Sequence, residues 1–254
     1  MPPPPQSPLA PHPPLQEYYA HEADRRAWVL ELFNRTAGDY ERVERVMAFG
    51  TGSWYRRRAL RDSGLRSGMT VFDIGVGTGL VAREAAELCG DPTRVTGFDP
   101  SSGMVRNAKV PPGVRLIAGS AESIPADDAS ADFLSMGYAL RHIGDLSMAF
   151  REFHRVLKPG GRLCLLEITR PARAWSKALL RAYMRVMVPL AARIVARHRD
   201  TPELMRYYWD TIEACASPRV IQGALQAAGF VEVTRHVELG IFSEYRARKA
   251  PSQA

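Results

Sequence analysis

Apolar and polar positions follow two alternating periods over residues 68–168 of this 254-residue chain. Short apolar runs of strand length are separated by stretches whose apolar residues recur three and four positions apart, which is the spacing of a helix face. The predicted strands span residues 70–74, 95–98, 114–118, 131–136 and 162–168. The predicted helices span residues 79–88, 102–108 and 145–157, the last with Asp145 as its N-cap. Strands that alternate with helices indicate an α/β fold with a doubly wound, parallel sheet.

The two ends of the chain show different patterns. Helical spacing returns at residues 203–214 and 218–228, and two further strands are predicted at 231–237 and 240–246. Residues 1–15 contain eight prolines, which favour neither a helix nor an inner strand. We therefore expect residues 1–15 to form a disordered, polyproline-like tail.

The positive charge of the protein is concentrated in one segment. Lys and Arg total 34 against 27 acids, a net charge of +7, yet residues 1–169 carry as many acids as bases. Residues 170–199 carry eight basic side chains and no acidic one. Their charge suits an anionic partner. Nucleic acid is not favoured, because the segment has no RNA-binding signature and few aromatic residues.

Cysteine usage and the N-terminus bear on the compartment. Cys89, Cys164 and Cys215 lie far apart without a CxxC pair, which favours neither a disulfide framework nor a metal site and fits a reducing cytosol. The N-terminus has neither the basic nor the apolar region of a secretory signal. The longest apolar runs are shorter than the roughly 20 residues that span a bilayer, so no transmembrane helix is predicted.

The most specific motif follows the first predicted strand. Val71-Phe72 leads into Asp73-Ile74-Gly75-Val76-Gly77-Thr78-Gly79, and a helix pattern begins directly afterwards. Glycines at such a turn let the backbone bend tightly and approach a ligand. Asp99 ends the next strand, where a carboxylate can accept hydrogen bonds from the two ribose hydroxyls of a nucleoside.

Two nucleoside cofactors could use this arrangement. The dinucleotide fingerprint is Gly-x-Gly-x-x-Gly, whereas this chain has Gly-x-Gly-x-Gly with Leu80 at the position of the last fingerprint glycine. Asp73 would repel a pyrophosphate but would attract the ammonium and sulfonium of S-adenosylmethionine. The pattern therefore favours S-adenosylmethionine.

Further landmarks occur on both sides of this loop: Leu32-Phe33-Asn34, Tyr40-Glu41, Ala121-Glu122-Ser123-Ile124-Pro125, Leu140-Arg141-His142, Leu157-Lys158-Pro159-Gly160-Gly161 and Ala228-Gly229-Phe230. With these landmarks the chain resembles the class I methyltransferases and, more narrowly, the C-methyltransferases of ubiquinone and menaquinone biosynthesis, over residues 31–249. The resemblance implies a Rossmann-like, seven-stranded methyltransferase fold with a helical N-terminal lid and a helical insertion after strand five. The implied division is a tail at 1–15, a lid at 16–66 and a methyltransferase domain at 67–254, with the insertion at 170–216.

The motif and the resemblance together predict the cofactor site. The expected contacts are Asp73, Gly75, Gly77, Thr78, Gly79, Asp99, Met104, Ser120, Ala121 and Gly137. By the resemblance, Met104 packs on the adenine, and Ser120 and Ala121 lie beside it. Ser120 replaces an Asp or Asn that is usual in the family, and Gly137 replaces a frequent serine.

The acceptor is less well specified than the cofactor. The family's Arg-Asn pair is Arg141-His142 in this chain, and its Tyr-Asp-x-x-Asn pattern becomes Tyr40-Glu41-Arg42-Val43-Glu44. We take His142 as the candidate base, Arg141 as a cation for a phenolate, and Tyr40 as a further candidate in the lid. Each of the three also has a purely structural interpretation.

The leading hypothesis is methyl transfer from S-adenosylmethionine to carbon of a quinone-pathway or similar hydrophobic aromatic acceptor. The alternatives are an O- or N-methyltransferase acting on another small hydrophobic molecule, and a non-catalytic cofactor-binding partner in a biosynthetic complex. Arg173, Lys177, Arg181 and Arg185 fall four residues apart among apolar residues, which suits an anionic membrane surface or a solvated covering helix. The hypothesis places the protein in the cytoplasm, peripherally at the inner face of the membrane.

Overall fold

The structure is a computed structural model that describes residues 8–47, 50–171, 173–195 and 199–252. Within these residues, seven strands form one sheet in the order β3-β2-β1-β4-β5-β7-β6. The strands are Val71–Ile74 (β1), Val95–Asp99 (β2), Arg115–Ala118 (β3), Ala131–Gly137 (β4), Leu157–Ile168 (β5), Phe230–Glu238 (β6) and Phe242–Lys249 (β7). β1 to β5 are parallel, and β7 runs antiparallel to both of its neighbours. The predicted doubly wound α/β fold is confirmed.

Helices pack against the sheet and against one another. They are Glu22–Met47 (α1), Gly52–Asp62 (α2), Leu80–Cys89 (α3), Ser102–Arg106 (α4), Leu146–Val156 (α5), Ala174–Ala182 (α6), Val188–Val195 (α7), Thr201–Ala214 (α8) and Pro218–Ala227 (α9). The buried side chains form three clusters, two of them against the sheet and a third that joins α1 to α8.

Local chemistry explains where α5 begins and ends. The Asp145 side chain accepts hydrogen bonds from the backbone N–H of Ser147 at 2.8 Å and of Met148 at 3.3 Å, which is N-capping as predicted. β5 begins at Leu157, earlier than the predicted residue 162, because Leu157 pairs with Ala131 ahead of an irregularity in the ladder. The Lys-Pro-Gly-Gly run therefore lies within β5 as an irregularity, and the regular pairing with β4 resumes at Arg162.

The strand order creates a switch point between the central strands β1 and β4. β1 is followed in sequence by β2 on one side, whereas β4 pairs with β1 on the other side. This reversal opens a crevice at the carboxyl ends of β1 and β4, where open α/β sheets bind ligands. α1 packs across this end and contacts α4, α7 and α8.

The prediction of a disordered tail over residues 1–15 is wrong for the part that the structure describes. The backbone N–H of Leu9 donates to the Asp145 carboxylate at 3.2 Å, and the Leu9 carbonyl accepts from Leu146 at 2.9 Å. The carbonyl of Pro11 accepts from Ala216 at 2.6 Å. Proline lacks an N–H donor but keeps its carbonyl, so a proline-rich strap can still be fastened in this way. Residues 1–7 lie outside the described residues.

Three cations of the basic segment have acidic partners. Lys177 and Arg181 pair with Glu213 of α8, and Arg185 pairs with Asp210 at 2.6 Å. The cationic stripe is therefore directed toward α8 and partly neutralised there. Arg197 of the segment lies outside the described residues.

The opposite side of the same segment is apolar. Trp175 and Leu179 are 63% and 65% exposed, and Val186, Met187 and Leu190 are also exposed. The chain stays helical through Pro189, with a π-helical turn at Tyr183–Met187 directly before α7. This wider turn gives the proline ring room that an α-helical turn lacks. Among the described residues, no helix has the length and apolar character needed to cross a membrane.

Candidate active site

One cavity of about 210 Å³ lies at the carboxyl ends of β1, β2 and β4, beneath α1. Nine of the predicted site residues line it: Tyr40, Gly75, Gly77, Asp99, Met104, Ser120, Ala121, Gly137 and His142. Asp73, Thr78, Gly79 and Arg141 do not line its wall. Residues that were not predicted as site residues also line the cavity, among them Arg25, Phe33 and Tyr208.

The loop between β1 and α3 has the backbone that its glycines predict. Gly75, Gly77 and Gly79 have φ angles of 65°, 55° and 90°, in the left-handed region that disfavours other residues. A Cβ atom at Gly79 would lie 2.4 Å from Val110 Cγ1, and one at Gly75 would lie 2.7 Å from Ala139 Cβ. The loop is thus shaped so that its backbone, free of side chains, reaches the cavity.

Asp99 forms the cavity wall at the end of β2. Its two carboxylate oxygens accept hydrogen bonds from the backbone N–H of Gly77 and of Ser101, each at 2.8 Å. Burial raises the pKa of Asp99, and these two hydrogen bonds oppose the rise. They fix the carboxylate orientation and leave further lone pairs for a ligand.

Asp73 is buried behind the loop and has one carboxylate oxygen in use. Oδ1 accepts a hydrogen bond from Ser135 Oγ at 2.7 Å, whereas Oδ2 has no partner among the described residues. Burial, together with the nearby Asp99, raises the pKa of Asp73 to about 7. A cation at this place would offset both causes of that shift.

These features test whether S-adenosylmethionine fits the residues present. Besides Asp73 Oδ2, the buried hydroxyl of Thr78 lacks a hydrogen-bond partner within the described part of the chain. An uncompensated buried polar atom costs free energy, which a ligand with matching groups removes. The positive ammonium of the cofactor is complementary to the carboxylate of Asp73, and its ribose hydroxyls can donate hydrogen bonds to Asp99. The glycine loop has no side chains that would keep the cofactor away from its backbone. The residues therefore fit this cofactor.

The lid is fastened to the cofactor side of the cavity by Asn34. Its side-chain oxygen accepts from Ser101 Oγ and from the backbone N–H of Gly103, both at 2.8 Å. A Cβ atom at Gly103 would lie 2.7 Å from the Asn34 backbone, so glycine permits this close contact between α1 and α4. Asn34 belongs to one of the landmark runs, but its partners could not be read from the sequence.

The other side of the cavity is aromatic. Phe33 of α1 meets the His142 ring edge-on, with centroids 5.1 Å apart, and Tyr208 of α8 lies 5.7 Å from His142. The Tyr208 hydroxyl donates a hydrogen bond to the Tyr40 hydroxyl at 3.0 Å. Such a wall suits a flat, apolar ring.

His142 sits in this wall as a neutral imidazole. Burial lowers its pKa well below the ordinary value, and the charges of Arg141, Arg25 and His12 act in the same direction. Neither of its ring nitrogens has a hydrogen-bond partner in the described chain. A neutral imidazole can accept a proton, which is the property that a base requires.

Arg141 lies behind the wall instead of at it. Its guanidinium pairs with the buried carboxylate of Glu167, donates to Thr211 Oγ1 at 3.1 Å, and lies 4.9 Å from the ring centroid of Tyr208. Burial opposes the charge on Arg141, but Glu167 and the nearby hydroxyls raise its pKa overall. The structure thus gives Arg141 no direct access to the cavity.

Arg25 of α1 closes the acceptor side. Its guanidinium donates to the backbone carbonyls of Arg141 and Ile143 at 2.9 and 3.0 Å, and it is buried. These two bonds hold the lid against the 3₁₀ turn Leu140–His142 that carries His142. No spacing signal in the sequence pointed to Arg25, because its partners are backbone atoms more than 100 residues away.

Comparison with known proteins places this site in a family. The model of the ubiE/COQ5 methyltransferase family matches residues 20–249. The chain belongs to the ubiE/COQ5 methyltransferase family. It is accordingly an S-adenosylmethionine-dependent methyltransferase, and the family that the landmarks suggested is confirmed.

Curated relatives agree over nearly the whole chain. The chain is 33% identical over 217 residues to a ubiquinone/menaquinone biosynthesis C-methyltransferase UbiE of Rubrivivax gelatinosus, covering 85% of this chain and 84% of that protein. It is 30% identical to the protein of that name from Klebsiella pneumoniae, covering 87% of this chain and 90% of the relative.

Solved structures share the fold. A Thermotoga maritima S-adenosylmethionine-dependent methyltransferase, described as a possible histamine N-methyltransferase, superimposes with a TM-score of 0.59 at 21% identity, covering 87% of this chain and 99% of that one. A phosphoethanolamine N-methyltransferase of Haemonchus contortus, solved with S-adenosylmethionine, gives a TM-score of 0.55 at 17% identity, covering 78% of this chain and 53% of that one. The Rossmann-like methyltransferase fold is thus confirmed.

Proposed function

We propose that this enzyme transfers the methyl group of S-adenosylmethionine to a ring carbon of a quinone-pathway or similar hydrophobic aromatic acceptor. The observation that carries the proposal is one continuous cavity with two unlike sides. Asp99 and the glycine loop form one side, and Phe33, Tyr40, His142 and Tyr208 form the other. Relatives at about 30% identity are named as C-methyltransferases of ubiquinone and menaquinone biosynthesis, which supports an acceptor of that class.

The residues of the cofactor side bind and orient. When bound, S-adenosylmethionine supplies an activated methyl group whose sulfur leaves without needing a proton. Asp99 holds the ribose, the backbone at Gly75 and Gly77 allows close approach, Met104 packs on the adenine, and Ser120 and Ala121 flank it. Asp73, Thr78 and Gly79 act from behind the wall, the first two through their unpartnered oxygens. Holding both reactants in line is worth roughly 7–11 kcal/mol of the barrier.

The residues of the acceptor side hold the ring and move a proton. Phe33 and Tyr208 pack the ring, and α1 excludes water because Arg25 ties it to the carbonyls of residues 141 and 143. Carbon methylation leaves one surplus proton on the methylated ring carbon. His142, neutral because of its lowered pKa, takes that proton.

We further propose that the enzyme works in the cytoplasm against the inner face of the membrane. The support is the exposed apolar side of α6 and α7, which includes Trp175 and Leu179, with exposed Arg173 and Arg193 at its two ends. Apolar burial beside a few cations is how an amphipathic helix binds a bilayer surface. An acceptor with a long apolar tail dissolves in that bilayer.

The proposed function is tested by labelled methyl transfer. The enzyme is incubated with methyl-labelled S-adenosylmethionine and demethylated quinone precursors, and in parallel with a mixed lipid extract. We expect label in the quinone product, and far less of it with Asp99→Ala at a subsaturating cofactor concentration. Label confined to a product without a quinone ring would overturn the assigned acceptor.

A further inference from the structure

Tyr208 connects the acceptor side of the cavity to the buried charge behind it. Its ring lines the cavity on one side, and on the other the guanidinium carbon of Arg141 lies 4.9 Å from the ring centroid. Its hydroxyl donates to Tyr40 at 3.0 Å. Tyr208 comes from the insertion after β5, and no sequence motif marked it.

The direction of that hydrogen bond matters for Tyr40. Because the Tyr208 hydroxyl is the donor, the hydrogen of the Tyr40 hydroxyl is not used between the two tyrosines. Tyr40 lines the cavity, so its hydroxyl can donate to a ligand there. Burial raises the pKa of both tyrosines, which keeps both hydroxyls protonated at neutral pH.

Arg141 strengthens this donor chain without touching the acceptor. Its guanidinium lies over the Tyr208 ring, and a cation there makes the tyrosine O–H a stronger donor. Glu167 holds the guanidinium in place through the buried ion pair. The chain therefore runs from Arg141 through Tyr208 and Tyr40 to the cavity.

We propose that Tyr208 is a positioning residue that orients the Tyr40 hydroxyl to donate to an ionised ring oxygen of the acceptor. This inference rests on the proposed function, because it takes the acceptor to be a hydroxylated aromatic ring. The donor chain stabilises the phenolate relative to the phenol. A phenolate directs electron density onto the ring carbon that is methylated.

The resulting step balances in atoms and charge. A carbon–carbon bond forms between the phenolate ring and the methyl group while the methyl–sulfur bond breaks, and the sulfur keeps the electron pair as a neutral thioether. The methylated ring carbon then loses its hydrogen as a proton to His142. The products are a methylated phenolate, the thioether and a protonated imidazole.

The test measures ionisation of a bound phenol, with no methyl transfer involved. The probe is 4-nitrophenol, whose phenolate absorbs in the visible range, titrated on the enzyme in the presence of S-adenosylhomocysteine. We expect Tyr208→Phe to raise the pKa of the bound probe by about one unit, the tenfold effect of one hydrogen bond to a charged group. Affinity for S-adenosylmethionine should not change, and Tyr245→Phe, which removes another buried hydroxyl away from the cavity, should leave the probe as in the wild type.

A second variant guards against a folding defect. Tyr40→Phe should raise the pKa of the probe as well, and the double variant should raise it little further because the hydroxyls act in series. With an active acceptor, kcat of Tyr208→Phe should fall about tenfold and its acidic limb should move to higher pH. An unchanged probe pKa in folded Tyr208→Phe would overturn the inference. A shifted probe pKa in an enzyme that methylates no quinone precursor would uphold it and refute the proposed acceptor instead.

Discussion

At the scale of residues, the buried carboxylate of Asp73 destabilises the cofactor-free protein while it is charged, and a bound cation would offset that cost. Asp73 is 1% exposed, and its Oδ2 has no partner among the described residues. Its pKa rises to about 7, first because burial disfavours the charge and second because Asp99 lies nearby. A site that binds a cationic cofactor can tolerate such a carboxylate, since the bound ligand offsets the cost.

The raised pKa of Asp73 makes the free energy of unfolding fall as the pH rises. A carboxyl group whose pKa is raised in the folded state contributes fully to stability below its unfolded value near 4, and that contribution is lost as the pH rises through about 7. Between pH 4 and pH 7, we expect ionisation of Asp73 to lower the free energy of unfolding of the cofactor-free enzyme by up to about 4 kcal/mol. Urea denaturation of the wild type and of Asp73→Asn at several pH values measures the difference.

The free energy of unfolding of Asp73→Asn should fall less with rising pH than that of the wild type. Saturating S-adenosylmethionine should reduce the fall in the wild type in the same way. The exposed carboxylate Asp127 supplies the matched control, and Asp127→Asn should follow the wild-type curve. If the free energies of unfolding of the wild type and Asp73→Asn depended on pH in the same way, the buried charge of Asp73 would not have the assigned cost.

Asp99 should dominate the cofactor affinity. Asp99→Ala removes the acceptor for the ribose hydroxyls and also the bonds that fix Gly77 and Ser101. Hydrogen bonds to a charged group are worth about 1.5–3 kcal/mol each, so calorimetry should show affinity reduced on the order of 100-fold or more. Asp127→Ala should bind as the wild type does. Unchanged affinity in Asp99→Ala would disprove its role.

Residues whose role is set by neighbours in sequence could be predicted, and the others could not. The glycine loop and Asp99 follow strands directly, so spacing alone places them. Tyr208 and Arg25 reach the cavity only because α8 and α1 pack there, and their partners lie 168 and more than 100 residues away. Arg141 was predicted at the cavity, but its charge is buried against Glu167, which spacing does not show.

At the scale of elements, Asn34 is one of the residues that hold the lid against the rest of the molecule. Asn34 joins α1 to α4 through two hydrogen bonds of 2.8 Å. Asn34→Ala should weaken S-adenosylmethionine binding by up to about thirtyfold, because the two bonds are worth roughly 1 kcal/mol each and α4 flanks the cofactor. Calorimetry, together with amide exchange in α4, measures both effects.

The matched control lies one helical turn earlier on α1. Among the described residues, the side chain of Glu31 has only an exposed ion pair with Arg35 at 3.8 Å, which contributes little. Glu31→Ala should therefore leave binding and exchange unchanged. Faster exchange in α4 without weaker binding would contradict the view that this contact serves the cofactor.

Helices and strands were predicted well where the apolar residues follow a single strand or helix spacing. The strands around the glycine loop and the helix capped by Asp145 lie within a few residues of their predicted bounds. β5 was predicted too short, because pairing with β4 decides its start. The strap at residues 8–15 was missed because its bonds use backbone groups whose partners composition cannot reveal.

At the scale of the whole molecule, the location of the excess basic residues says more about the surface than the net charge of +7 does. Three cations of the basic segment are paired with α8, and the apolar side of α6 and α7 is exposed instead. Contact with a membrane should therefore depend on apolar burial more than on anionic lipid.

Liposome sedimentation measures this dependence. The triple variant Leu179→Ser, Val186→Ser, Leu190→Ser should lose most binding to phosphatidylcholine vesicles containing phosphatidylglycerol. The control Val220→Ser, Val231→Ser changes exposed apolar residues elsewhere and should bind as the wild type does. Equal binding of the triple variant and the wild type would refute the proposed surface.

The proposed reaction is defined by the atom that receives the methyl group. The decisive measurement uses S-adenosylmethionine with a trideuterated methyl group and a demethylated quinol, followed by mass spectrometry and NMR of the product. We predict a product heavier by one trideuteromethyl group, attached to a ring carbon. A trideuteromethyl group on oxygen, or none in the quinol, would contradict the account.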